Sequence, residues 1–264
     1  MTHHDIPDTH PRKQSLMLRE KIINGLGSNI VATAGLVAHG RGEAFDYILG
    51  EQTLPAARTA IDAAAALLTT ATRPVISVNG NTAALSAPEL VALSAVTGAP
   101  LEINLFYRSP EREQAILSHL TEHGATRVLG VGNRATGRVP DLAGPRGQVD
   151  PEGILQADVV FLALEDGDRT EQLARLGKKI IAVDLNPFSR TAQYAHVTIV
   201  DNIVRVMPLL IAASRALQED ADPKVVQKRI TSYDNAKILG AAVRAIQQRL
   251  KKIARQGIYL RIEE

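Results

Sequence analysis

Hydrophobic positions along the chain follow two alternating periods. Leu16, Leu18, Ile22, Ile23 and Leu26 recur at helical spacing, which predicts a helix over 15–25 closed by glycine. A second helix is expected from Asn29 to Ala38, running into His39-Gly40-Arg41-Gly42-Glu43 as a turn. A third, alanine-rich, covers 53–68 with Ile61, Leu67 and Leu68 on its buried side. The period then shortens. PVISVN (74–79), LEINLF (101–106), TRVLGVG (126–132), ADVVFLAL (157–164), KKIIAVD (178–184) and AHVTIV (195–200) are β-branched runs, several nearly continuous in apolar residues. Such continuity marks strands covered on both faces, as in a parallel sheet.

Helices are expected between these strands. Ser86-Ala-Pro-Glu89 has the spacing of a capping box, and Ser109-Pro110-Glu111 places proline at a first helical position, in a helix closing at Gly124. The alternation predicts an α/β fold, doubly wound around a mainly parallel sheet whose strand order stays open. The Gly/Pro-rich stretch 134–153 is too long for an ordinary connection and reads as a functional loop or lid inside one domain over 15–264. Residues 1–14, with His3, His4 and His10, read as a flexible leader. Leu239, Val243, Ile246, Leu250 and Ile253 repeat at 4-3-4-3 on a long C-terminal helix, either docked on its own domain or forming a dimer seam.

Composition narrows the chemistry. The 264 residues, 45% hydrophobic, can bury a full core, and zero cysteines exclude thiol nucleophiles, thiolate metal sites and disulfides. A net charge of +2 provides no whole-chain field toward nucleic acid or membrane. No apolar run approaches the roughly 20 residues of a membrane span, and the start is too polar for a signal peptide. Nine aromatic residues are too few for a stacking platform, while 21 arginines against nine lysines suit anionic ligands.

In open α/β sheets ligands bind beyond the carboxyl ends of the strands. Five such ends are polar: Asn79-Gly80-Asn81, Asn104 with Tyr107-Arg108, Glu165-Asp-Gly-Asp-Arg169, Asp184-Leu-Asn-Pro-Phe-Ser-Arg-Thr191 and Asp201-Asn202. At the fourth, Asn186 is placed to cap a helix with Pro187 at its first position, which with Arg190 makes an anion site, and Asp184 can accept from a ribose or an adenine amine. The third offers three carboxylates to Mg²⁺, or a cap from Asp166 or Asp168 to the next helix. Arg41 between glycines fits a phosphate or a solvated turn, and His39 is the histidine best placed for acid–base work. Gly132-Asn-Arg-Ala-Thr-Gly137-Arg138 imitates a phosphate loop but has Arg where Lys is needed and no helix after it.

The strings HGRGEAFDYILGE (39–51), SVNGNTAAL (77–85), INLFYR (103–108), ADVVFLALEDGDR (157–169) and IIAVDLNPFSRTAQYAHVTIVDN (180–202) together closely resemble the archaeal phosphopantothenate synthetases, the 4-phosphopantoate:β-alanine ligases. The resemblance runs from about Ser15 onward. It implies a cytoplasmic, Rossmann-like homodimer of coenzyme A biosynthesis that joins 4-phosphopantoate to β-alanine and cleaves ATP to AMP and pyrophosphate. It further implies ATP contacts at Arg19, Arg41, Asp184, Leu185, Asn186, Arg190, Thr191, Asn202 and Ile203; within that set the chemistry of the reaction assigns Arg41 and Arg190 as the expected catalytic charges. Mg²⁺ would accompany the ATP, its ligands open. Asn79, Asn104 and Arg108 are candidates for phosphopantoate from their strand-end positions. A pantoate kinase or a non-catalytic nucleotide-binding module are the alternative readings.

Overall fold

The computed structural model describes residues 6–220 and 222–257; His3 and His4 of the expected leader lie outside the described residues. Helix α1 (Lys13–Gly27) starts two residues before the expected boundary and is followed by α2 (Thr33–Leu49) and α3 (Pro55–Thr70). Then come β1 (Pro74–Val78), α4 (Gly80–Thr97), β2 (Leu101–Ile103), α5 (Pro110–Glu122) and β3 (Val128–Leu129). A two-stranded ribbon, β4 (Gly137–Arg138) and β5 (Gln148–Val149), leads into β6 (Val159–Ala163), α6 (Gly167–Arg175), β7 (Lys179–Val183), α7 (Arg190–Tyr194) and β8 (Val197–Ile199). Helices α8 (Ile203–Asp220), α9 (Pro223–Thr231) and α10 (Asn235–Gln256) complete the chain.

Six strands form one parallel sheet in the order β3-β2-β1-β6-β7-β8. The α/β, Rossmann-like, doubly wound expectation is met, and the structure supplies the order that periodicity left open. The chain winds outward from β1 to β3, then returns to build β6 to β8 on the other side of β1. The direction reverses between β1 and β6, so their carboxyl ends flank the crevice where such sheets take ligands.

Strand residues alternate between two cores, which is why the runs are continuously apolar. Ile76, Val78, Phe161, Ile181 and Val183 pack with α3, α4 and α8, whereas Val75, Val160, Leu162, Ile180 and Ala182 face the opposite cluster. That second cluster includes Val139, Leu142, Val149 and Ile154, all nearly solvent-free. The 134–153 stretch is therefore no open lid. It covers one sheet face in place of a crossover helix between β3 and β6, because its apolar residues have nowhere else to be buried. Glu102 of β2 fastens it from beneath, its carboxylate accepting from the amides of Asp150 at 3.0 Å and Ile154 at 2.5 Å.

Three other local expectations meet different outcomes. Asn29 adopts a left-handed φ of 59°, so α2 begins at Thr33 and runs unbroken through Gly40, Arg41 and Gly42 to a left-handed Gly50. The turn expected there is helix, since packing by Leu36, Phe45, Ile48 and Leu49 outweighs the roughly 1 kcal/mol that each glycine costs in a helix. Ser86 has non-helical φ and ψ at a kink that divides α4 into two helical segments, so a helix does open there with Pro88 in its first turn, although the preceding segment already starts at Gly80 and the Ser86 hydroxyl makes no capping bond. The heptad seam of α10 docks on its own chain, with Ala242 and Ile246 buried and contacts to α2, α3 and β8, while Leu250 stays exposed.

Candidate active site

The site is built on the tips of β1 and β6. Asn79 caps α4: its Oδ1 accepts from the Thr82 amide at 3.0 Å and its own amide donates to Thr82 Oγ1 at 3.0 Å. The remaining Nδ2 crosses the switch point and donates to the carbonyls of Ala163 at 2.8 Å and Leu164 at 3.2 Å. Leu164 is held at φ 53°, a left-handed conformation costing roughly 1–2 kcal/mol for a side-chain-bearing residue. This bend turns Glu165 and Asp166 inward. Asp166 then caps α6, its Oδ1 accepting from the Arg169 amide at 2.9 Å.

Beneath the tip lies a buried charge network. Glu165 Oε1 accepts from the Asp166 amide at 3.1 Å and faces Arg169 Nε at 3.6 Å. Arg169, 1% exposed, also donates to the Arg146 carbonyl and, at 3.5 Å, to Asn104 Oδ1. Asn104 Nδ2 in turn reaches Ser77 Oγ at 3.2 Å. Burial pushes the Glu165 carboxyl up to about 7, Arg169 opposing and Asp166 adding to the rise.

Helix α2 passes close over these tips. A Cβ on Gly35 would stand 2.3 Å from Asn81 Oδ1, and one on Gly80 would stand 2.2 Å from the Ile30 carbonyl, so both contacts require glycine. Between α2 and the tips opens a cleft of about 300 Å³. Arg41 and Arg112 stand among its lining residues, as do Glu165 and Asp166, with Asn79 and Tyr107 between. Arg41 is exposed and has no ion-pair or hydrogen-bond partner among the described residues. Arg112 is anchored to the carbonyls of Tyr107 and Ile30, the latter at 2.8 Å.

On the other side of α2 is an enclosed cavity of about 30 Å³ that brings Leu185, Asn202 and Ile203 together with His39 and Glu43. Glu43 holds Arg19 through both oxygens, at 3.0 and 3.1 Å, and also binds Tyr47 and Arg12. Burial pushes the Glu43 carboxyl up, but Tyr47 and Arg19 reverse this and leave it below its usual range. Burial lowers His39, with Glu43 opposing, so its imidazole favours the neutral form. Asn202 Nδ2 donates to Asp46 Oδ2 at 2.8 Å, at the head of α8.

The β7 tip differs from expectation in detail. Asp184 accepts from the Asn186 amide at 2.9 Å and from Ser189, Asn186 accepts from the Phe188 amide at 2.9 Å, and Ser189 rather than Asn186 caps the short α7. Pro187 thus lies in the turn, not at a first helical position. Burial raises the Asp184 carboxyl, against Ser189 and the Asn186 amide. Arg190 pairs with Asp168 at 2.5 Å and Glu171 at 3.6 Å, while Thr191 Oγ1 donates to the Glu165 carbonyl at 3.0 Å and ties this tip to the neighbouring one.

Asn104 and Arg108 lie below the cleft. Asn104 is 1% exposed, and the Arg108 guanidinium is committed to Glu113 at 2.5 Å and to the carbonyls of Gly130 and Ile103, each at 2.9 Å. Within the Glu165–Arg169 segment Asp166 caps α6 with one oxygen, and Arg190 and Arg146 hold the Asp168 carboxyl below its usual range. Among the described residues no three His, Cys, Asp or Glu side chains converge as metal ligands. Gly132–Arg134 is a single 3₁₀ turn followed by a strand, so it forms no phosphate loop. No helix among the described residues is long and apolar enough to cross a membrane.

Asn81 and Tyr107 line the cleft from strand ends already marked in the sequence, whereas Arg112 is a cleft residue that sequence reasoning missed. Arg112 reads as an ordinary helical arginine, and nothing local announces a bond to a carbonyl 82 positions earlier.

A doubly wound parallel sheet with arginines and buried carboxylates lining a cleft at its switch point defines a class, the α/β proteins that bind small charged ligands there. Residues 56–249 match the phosphopantothenate/pantothenate synthetase family, and the chain belongs to that family. It is 47% identical over 260 residues, 98% of each chain, to the 4-phosphopantoate–beta-alanine ligase of Thermococcus kodakarensis. It is 48% identical to the ligase so named from Thermococcus onnurineus, over 96% of this chain and 97% of the relative. The relative of that name from Methanosarcina mazei is 43% identical, over 97% and 99%.

Proposed function

We propose that this chain is an ATP-dependent ligase that condenses 4-phosphopantoate with β-alanine to 4′-phosphopantothenate, releasing AMP and pyrophosphate, in the coenzyme A pathway. The observation that carries this is the 47% identity to a ligase of that name across 98% of both chains. A carboxylate resists attack by an amine. Its oxygen therefore first attacks the α-phosphorus of ATP, and the amine then displaces AMP from the acyl adenylate. Neither step needs an enzyme nucleophile; both need charge neutralised and reactants aligned.

The residues supply those needs in two zones. Leu185, Asn202 and Ile203 at the β7 and β8 tips, with Asp184 and Asn186 beside them, address the nucleoside. Arg19, Arg41 and Arg190 with Thr191 address the phosphates, Arg41 and Arg190 where charge builds. Phosphopantoate occupies the cleft beside Asn79, supported from below by Asn104 and Arg108. Mg²⁺ would accompany the ATP and offset its phosphate charge; Asp168 is already engaged by Arg146 and Arg190. The working form is a cytoplasmic homodimer.

Incubation with ATP, 4-phosphopantoate and β-alanine, followed by nucleotide chromatography, tests this reading. AMP and pyrophosphate should appear only with both acceptors present. ADP would mean a kinase, and unchanged ATP a binding module.

A further inference from the structure

The Glu165–Asp166 pair has an uneven hydrogen-bond account. Each carboxylate has one oxygen engaged, Glu165 Oε1 with the Asp166 amide and Asp166 Oδ1 with the Arg169 amide. Each also has one buried oxygen, Glu165 Oε2 and Asp166 Oδ2, that meets no donor, and the two carboxyl groups lie within hydrogen-bond reach of each other. The Glu165 side chain is only 7% exposed, yet both residues line the cleft. A buried acceptor left unmade costs about 1–3 kcal/mol, so two in adjacent residues at a ligand cleft point to donors that a ligand brings.

The chemistry of that ligand can be read from the surroundings. Among the described residues no third His, Cys, Asp or Glu joins this pair to complete an all-protein metal site. A primary ammonium, compact and carrying three donors, fits two neighbouring acceptors. Arg112 lines the same cleft and suits a carboxylate. A short zwitterion with its charges at opposite ends satisfies both requirements.

We propose that Glu165 and Asp166 receive the ammonium group of β-alanine and that Glu165 accepts its proton; this rests on the ligase reading above. An aliphatic ammonium such as that of lysine titrates near about 10, so at neutral pH it must lose a proton before its nitrogen can attack. One proton passes from the ammonium to Glu165, and the freed lone pair forms the C–N bond. The C–O bond to AMP breaks with its electron pair left on the phosphate oxygen, and the second N–H proton leaves to water as the amide forms. Burial, Arg169 on α6 and Asp166 beside it set the titration of Glu165, and Arg41 and Arg112 are the further charged groups lining the cleft. Its elevation by burial suits proton acceptance near neutrality.

The test uses the full-length enzyme and E165Q. E165Q should lower kcat/KM for β-alanine by about 100-fold or more. The 4-phosphopantoate-dependent exchange of pyrophosphate into ATP should stay within a few-fold of wild type, because that half-reaction precedes the amine. Hydroxylamine, already unprotonated at neutral pH, should still trap the activated acyl group as hydroxamate in the variant. Unchanged kcat/KM for β-alanine, or equal losses with hydroxylamine and β-alanine, would overturn the proposal. If E165Q does not fold, E165D is read by the same assays and should raise KM for β-alanine without raising KM for ATP. A wild-type enzyme that forms no AMP with any acceptor would instead defeat the ligase reading itself.

Discussion

Glu102 and Glu165 are two buried glutamates whose carboxyls burial raises to about 7, and the structure gives them opposite meanings. Glu102 sits in the body of β2 with both oxygens satisfied by the Asp150 and Ile154 amides, and it fastens the 134–153 cover to the sheet. Glu165 sits at the tip of β6, beside a cleft, with one oxygen unpartnered. A raised carboxyl therefore does not identify a functional group by itself. What separates the two is the account of hydrogen-bond partners and the presence of open space.

The largest effect that should sharpen this contrast is on Arg169, the charge against which Glu165 is buried. Arg169→Leu leaves the carboxylate without its cation and should destabilise the fold by about 3–5 kcal/mol, read by denaturant unfolding. A loss below about 1 kcal/mol would show that Glu165 is carried neutral and needs no counter-ion. Next in size is Arg41→Ala, which should cut kcat/KM by about 100-fold with an unchanged melting temperature, because the exposed side chain stabilises nothing in the fold. Near wild-type turnover would remove Arg41 from the site.

Glu102→Gln tests the other member of the pair. Replacing an acceptor of two amides by a group that offers only one oxygen should cost about 1–3 kcal/mol, while β-alanine kinetics stay at wild-type values. Reduced β-alanine kcat/KM in a folded E102Q would erase the distinction between the two glutamates. The smallest effect is on pH dependence. Both carboxyls titrate higher in the folded chain than their ordinary 4.5, so the native state holds more protons than the unfolded state between about 4.5 and 7. Their contribution to stability thus falls as pH rises through that window and is constant above it. Thermal melts from pH 5 to 8 should show a shallower decline in E102Q than in wild type, and identical slopes would assign the dependence elsewhere.

Much of this was legible in the chain. The β-branched runs located the strands, and the polar residues after them located the rim of the site, because both signals depend on a few consecutive residues. Of the residues marked in that way Asn79 lines the cleft and Asn202 the neighbouring cavity, whereas Asp184 lines neither. The strands proved shorter than their apolar runs, since pairing ends where a neighbour ends, and β3 keeps only Val128 and Leu129. Helix α2 was misread at Gly40 and Gly42 because local propensity is weak beside the packing of a whole apolar face.

The sequence alone therefore determined the succession of elements, the doubly wound class, the absence of thiol chemistry and the family. Tertiary structure decided the strand order, the role of 134–153 as a cover, and which polar residues are spent internally and which face the cleft. The reason is distance along the chain. Asn79 finds its partner 84 residues away, Glu102 holds an amide 48 residues away, and Arg169 reaches Asn104 across 65. Whether a buried oxygen is satisfied is a property of those long-range meetings, and no local pattern records it.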